Sequence, residues 1–141
     1  MPPAEATASS RPRDSGADVS FALSLPRAPA AASDARHVIR RRLGELLSED
    51  ALDDVLLVVT ELIANAVVHG RGDITLEIAF DGLGVAGVVA DEGPGFAPTP
   101  RRSGARRGGY GLELVAHLTD RWGLDDASSR VWFEIVARPG R

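Results

Sequence analysis

The chain of 141 residues contains no cysteine, and its sixteen basic residues are all arginine, so lysine is absent as well. Without cysteine there is no disulfide, no thiolate metal site and no cysteine nucleophile. Without lysine there is no P-loop, whose lysine contacts phosphates, and no Schiff-base chemistry. The lysine of eukaryotic-type kinases is excluded on the same ground. Residues 1–18 lack an apolar centre, unlike a signal peptide. No apolar run reaches the ~20 residues that span a bilayer. The net charge of −4 argues against general nucleic-acid binding. These absences point to a cytoplasmic protein with no membrane and no direct nucleic-acid partner.

What remains is an apolar content of 44% and a charged content of 26%, ordinary for one globular domain with a real core. Residues 1–18, rich in Pro, Ala, Ser and charge, read as a disordered tail, and residues 138–141 as a short C-terminal tail. Residues 19–25 alternate as a short strand of the kind that suits a sheet edge. A helix follows over 30–47, with Ser33 as N-cap and Val38, Ile39, Leu43, Leu46 and Leu47 on its apolar face. Arg36, Arg40, Arg41 and Arg42 crowd its other side, either as a solvated face or as a partner surface.

Residues 55–69 form a longer helical stretch, capped by Ser48 or Asp50 and stopped at Gly70 and Gly72. Apolar residues lie almost all the way round it, which predicts a buried helix. Glu61, Asn65 and His69 interrupt it every four residues, and four residues advance a helix by only about 40° beyond a full turn. The three therefore share one stripe, where polar groups need partners or a ligand-holding cavity. Strands follow over 73–80 and 83–90, joined by an Asp81-Gly82 turn; the second is apolar on both faces and so central. Residues 96–107 form a cationic loop, a lid or a linker, and Gly108-Gly109-Tyr110-Gly111 opens a helix over 112–118. Strands over 121–124 and 131–137 close the chain. Strands in hairpin-like pairs with three helices predict an α/β two-layer sandwich with a mixed, largely antiparallel sheet.

Three groups carry candidate chemistry. Gly109 and Gly111 stand at a helix start, where free N–H groups attract phosphates or merely give a flexible beginning. Asp91, with Gly93 and Gly95 after it, ends a buried strand; it suits a ligand amine such as that of adenine, or a capped turn. Asn65 is an oxygen ligand of the kind a hydrated Mg²⁺ accepts, and Glu61 can orient or deprotonate a hydroxyl or water. The pair is equally consistent with a satisfied internal hydrogen-bond network. His37 and His117 show no metal-ligand spacing with His69.

Together these residues resemble the GHKL ATPase superfamily, with its Bergerat α/β sandwich. Glu61-x-x-x-Asn65-Ala66-x-x-His69-Gly70 resembles its N box, Asp91-x-Gly93-x-Gly95 its G1 box and Gly109-x-Gly111-Leu112 its G2 box. The resemblance extends over residues 19–137. It implies ATP and Mg²⁺ as cofactors, Glu61 as general base and Asn65 as the magnesium ligand. It implies a nucleotide-contacting set of Asn65, His69, Asp91, Gly93, Gly95, Arg106, Gly109, Tyr110, Gly111 and Leu112. A single domain with a short lid is similar to the anti-sigma factor serine kinases, which bind a sigma factor and phosphorylate a serine of an anti-anti-sigma factor. A homodimer is implied too. The alternative is a non-catalytic, nucleotide-responsive binding module. One departure is Arg130, with Ser129 beside it, where the family often has a threonine supporting the adenine-binding aspartate.

Overall fold

The structure is a computed structural model and describes residues 19–93, 112–125 and 129–136. The expected N-terminal and C-terminal tails and the cationic loop lie outside the described residues. In chain order the elements are β1 (Val19–Leu25), α1 (Ala31–Leu43), α2 (Glu49–His69), β2 (Ile74–Phe80), β3 (Gly84–Ala90), α3 (Leu112–Leu118), β4 (Arg121–Asp125) and β5 (Arg130–Val136). The strands form one sheet in the order β1-β2-β3-β5-β4. Every pairing within it is antiparallel, so the sheet expected as mixed has no parallel pair among the described residues.

Alternation places one face of each strand against the helices. Leu76 and Ile78 of β2, Val85 and Val89 of β3, and Val131, Phe133 and Ile135 of β5 join Ile39, Leu43, Val55, Val59, Leu62 and Ile63 of α1 and α2 in one buried cluster. Val88 and Trp132 point to the opposite face and form a separate small cluster. The result is the two-layer sandwich that the residue pattern predicts. β3 is the middle strand, as its two apolar faces require. At its centre Gly87 pairs with Ile78 on one side and Phe133 on the other. The Phe133 ring occupies the space that a Cβ at position 87 would need.

Two local features depart from expectation. α1 ends at Leu43 rather than residue 47, with Gly44 as its C-cap. The chain then turns, with the Leu46 and Leu47 amides both donating to the Leu43 carbonyl, and Leu47 still reaches the core. The α1 N-cap is Ala30, with no side-chain cap bond, and Ser33 lies inside the first turn. The arginines of α1 divide. Arg36 donates to Thr60 Oγ1 at 3.4 Å, and Arg42 stacks 4.7 Å from the centre of the Phe21 ring. Arg40 and Arg41 are exposed. The hairpin turn forms where expected: Gly82 has φ +93°, and Asp81 Oδ1 accepts from the amides of Leu83 and Gly84, both at 2.9 Å.

Gly87→Ala overfills the core beneath Phe133 and should cost about 1–3 kcal/mol in urea unfolding. Adding Phe133→Leu, which withdraws the ring, should recover part of that loss.

Candidate functional site

α2 sets the geometry. Ser48 begins it, its Oγ accepting from the Ala51 amide at 3.1 Å, and Glu49 and Asp50 lie in its first turn against the positive end of the helix dipole. Val55, Val58, Val59, Leu62 and Ile63 are buried in the core. The helix is not buried all round, however. Leu57 is 47% exposed and Val68 71%, so α2 has one outward face. Glu61 and Asn65 lie on this side of the helix and are half-buried, whereas His69 at the end of the stripe is exposed. Among the described residues no buried side-chain nitrogen or oxygen lacks a hydrogen-bond partner, so the stripe leaves no stranded polar atom.

At the C-terminal end of α2 the chain meets the end of β3. Asp91 Oδ1 accepts from the Gly93 amide at 2.6 Å and from the Arg71 amide at 3.2 Å. The Glu92 amide donates to the Arg71 carbonyl at 2.8 Å, and the Asp91 amide to the Ser129 carbonyl at 3.1 Å. Asp91 is thus held from the α2–β2 turn on one side and from the start of β5 on the other. Oδ2 takes part in neither carboxylate bond. It lies 2.5 Å from where a Cβ of residue 70 would stand. Gly70 itself has φ −91° and ψ −170°, extended backbone open to any residue. Its lack of a side chain therefore serves the close approach of Asp91, not a left-handed cap. Gly72 is the position with positive φ, at +67°, and it lies close against the Glu92 side chain.

Ser129, at 8% exposure, is the buried polar residue beside this carboxylate. Its Oγ would lie 3.3 Å from a Cβ at Gly93. The structure therefore brings Ser129, rather than Arg130, to the side of the Asp91–Gly93 turn. Arg27 adds a further tie, donating from Nη1 to the Val67 carbonyl at 2.9 Å near the helix end. Leu112, at the start of α3, is half-buried against the core. Gly95, Arg106, Gly109, Tyr110 and Gly111 lie outside the described residues. Gly70 closes the first motif, but the motifs gave no sign of its contact with Asp91 or of the contributions of Arg71 and Arg27. The glycines gave a signal, but one that reads equally well as a helix stop.

Among the described residues one titration is displaced. Burial pushes the Asp54 carboxyl above its ordinary value, and Asp50, Asp53 and Asp120 push it further. These four carboxylates gather around the first half of α2 and the turn before β4.

With this geometry in view, residues 25–135 match the family described as the histidine kinase-like ATPase domain. The chain belongs to that family. It is an ATPase-type domain, and so a nucleotide-binding one, in agreement with the resemblance of its three motifs. No curated protein gives a significant match. Among solved structures, the domain is similar to the RsbU and RsbW domains of Rv1364c from Mycobacterium tuberculosis. The TM-score is 0.65 at 22% identity, over 87% of this chain and 33% of that one, so the likeness is one of fold. The chain thus spans about a third of the length of that protein. No helix among the described residues is long and apolar enough to cross a membrane.

Two outcomes are expected of this ATPase domain. Gly70→Ala should be destabilising by about 1–3 kcal/mol, because the new methyl collides with the Asp91 carboxylate and the Ala66 carbonyl. Asp54→Asn should raise the unfolding temperature at pH 7. Folding raises the Asp54 pKa, so the ionised carboxylate opposes folding at neutral pH. The gain from Asn should fade as the pH falls toward the ordinary aspartate value of 3.8. Thermal unfolding of both proteins across pH checks the sign.

Proposed function

We propose that the domain binds Mg-ATP and acts as a regulatory protein serine kinase of the anti-sigma factor type. The observation that carries this reading is the fixed Asp91 carboxylate. One oxygen accepts from two backbone amides, and the other takes part in neither bond and packs against Gly70, where a side chain would collide with it. A carboxylate held in this way suits the exocyclic amine of adenine, with Gly93 and Gly95 allowing the base to come close. Ser129 stands where it can support Asp91 in place of the usual threonine.

The residues present fit a nucleotide and a shared cation. Among the described residues no group of three or more His, Cys, Asp or Glu could hold a metal by themselves. A magnesium ion at Asn65 would take its remaining ligands from phosphates and water. When bound, the ion would neutralise phosphate charge. His69, Arg106, Gly109, Tyr110, Gly111 and Leu112 complete the proposed nucleotide contacts. Glu61, one turn before Asn65, takes the proton of the attacking serine hydroxyl, the serine oxygen receives the γ-phosphoryl group, and ADP is released. Phosphoryl transfer needs mostly positioning and charge neutralisation, which these groups supply.

The substrate is an anti-anti-sigma factor and the second partner a sigma factor; the kinase works in the cytoplasm as a homodimer. Support comes from family membership and from the fold shared with a protein that contains an RsbW domain. Exposed Leu57 and Val68 share the outward side of α2 with Glu61, an apolar flank on which a protein substrate can rest. The same flank favours the second reading, a non-catalytic module whose nucleotide sets the shape of a protein-binding surface.

Transfer of labelled phosphate from Mg-ATP to a serine of a cognate partner separates the two readings. Glu61→Ala should lower the transfer rate by about 10²–10⁴-fold with nucleotide binding retained. Transfer unaffected by that change would refute the role of Glu61. Nucleotide binding without transfer to any partner would favour the module.

A further inference from the structure

The turn that follows α2 is enclosed by two consecutive acidic side chains. The Asp91 carboxylate lies against Gly70, and the Glu92 carboxylate lies against Gly72, each where a Cβ of that glycine would stand. Between the two glycines is Arg71, and both of its backbone groups are engaged. Its amide donates to Asp91 Oδ1 at 3.2 Å, and its carbonyl accepts from the Glu92 amide at 2.8 Å. The turn is fixed from both sides, and the direction in which its central side chain leaves the backbone is fixed with it.

That side chain carries a charge the fold does not use. Arg71 is exposed, and among the described residues its guanidinium makes no hydrogen bond and no ion pair, although Glu92 flanks its turn. Its stem runs beside Gly93, with Cγ 3.8 Å from where a Cβ of that glycine would stand. The same point lies 2.8 Å from Asp91 Oδ1 and 3.3 Å from Ser129 Oγ. An arginine stem, a carboxylate and a hydroxyl thus border one spot, the bare Cα of Gly93. Asn65, the proposed cation ligand, lies more than one helical turn back along the chain from Arg71. Arg71 therefore belongs to the base end of the proposed site, not to its phosphate end.

We propose that Arg71 is a further nucleotide-binding residue, its planar guanidinium lying over the face of the base that Asp91 holds. The inference rests on the nucleotide reading of the proposed function and names the residue that shields the base from solvent. A guanidinium is flat and weakly hydrated and stacks on aromatic faces, whereas the ammonium of lysine is a compact, strongly hydrated point charge. A purine whose amine meets Asp91 and whose ring passes close to Gly93 brings one face beneath a side chain rooted there. The clasp itself uses only the backbone of Arg71, and no residue other than glycine has positive φ among the described residues. Side chains can therefore be exchanged at position 71 without loosening the turn.

Calorimetric titration of the full chain with Mg-ATP tests the assignment in the wild type, Arg71→Ala, Arg71→Tyr and Arg71→Lys. Arg71→Ala should bind about 5–30-fold more weakly, the range of a partly desolvated cation–aromatic contact. Arg71→Tyr, flat but uncharged, should recover most of that loss, and Arg71→Lys, charged but not planar, should recover little. The unfolding temperature without nucleotide should be the same in all four proteins. Wild-type affinity in Arg71→Ala would overturn the contact. Full rescue by Arg71→Lys, or none by Arg71→Tyr, would overturn the stacking and make the guanidinium a simple charge. A lower unfolding temperature of unliganded Arg71→Ala would make the side chain structural and overturn its binding role. In each of these cases the wild type still binds Mg-ATP, so the nucleotide reading stands. A wild type that does not bind Mg-ATP would overturn that reading and this inference together.

Discussion

The clasp between Asp91 and the turn after α2 is the interaction on which the site depends. Two backbone amides from different segments converge on one carboxylate oxygen, and a third bond runs back from the Glu92 amide to the Arg71 carbonyl. Hydrogen bonds to a charged acceptor are about twice as strong as neutral ones. Here they join the end of the long helix to the end of the central strand. Glu61 and Asn65 hang from the first and Asp91 from the second. The clasp therefore fixes the spacing between the groups proposed for proton transfer and cation binding and the group proposed for base recognition.

α2 carries two demands on one stretch. Its core side must be apolar to hold the sheet, and Val55, Val58, Val59, Leu62 and Ile63 meet that demand. Its other side must present polar chemistry without stranding it in apolar surroundings, where each unpaired group would cost several kcal/mol. The fold resolves this by leaving Glu61 and Asn65 half-buried on the open side, beside Leu57 and Val68. The acidic start of the helix shows the opposing pressure. Carboxylates favour the positive end of the dipole. Burial, and then the charges of Asp50, Asp53 and Asp120, nevertheless push the Asp54 carboxyl above its ordinary value.

Much of this was legible in the sequence, and for physical reasons. Strict alternation in β2 and the double apolar face of β3 follow from which sides of a sheet meet the core, so those strands fall where expected. Ser48 has the right side chain just ahead of the long helix and does cap it. Other features were hidden. Apolar periodicity tells which residues can be buried but not whether a layer covers them, so Leu57 and Val68 read as core and are exposed. α1 looked longer because Leu46 and Leu47 keep its spacing, yet the chain leaves the helix at Gly44. The meeting of Gly70 and Arg71 with Asp91 joins residues about twenty positions apart, and nothing local encodes that contact. The glycine nearest the carboxylate therefore looked like a helix terminator. Ser129 was recognisable only because the resemblance set an expectation beside Arg130.

The measurement that bears most directly on the account is thermal unfolding of the wild type and Asp91→Ala, each with and without Mg-ATP. A ligand present at ~100 times its dissociation constant adds about 2.7 kcal/mol to stability. For a domain of this size that is a rise of roughly 5–10 °C. The account predicts this rise in the wild type and its loss in Asp91→Ala. An equal rise in both proteins would contradict the placement of the base at Asp91. No rise in either at millimolar nucleotide would contradict ATP binding itself.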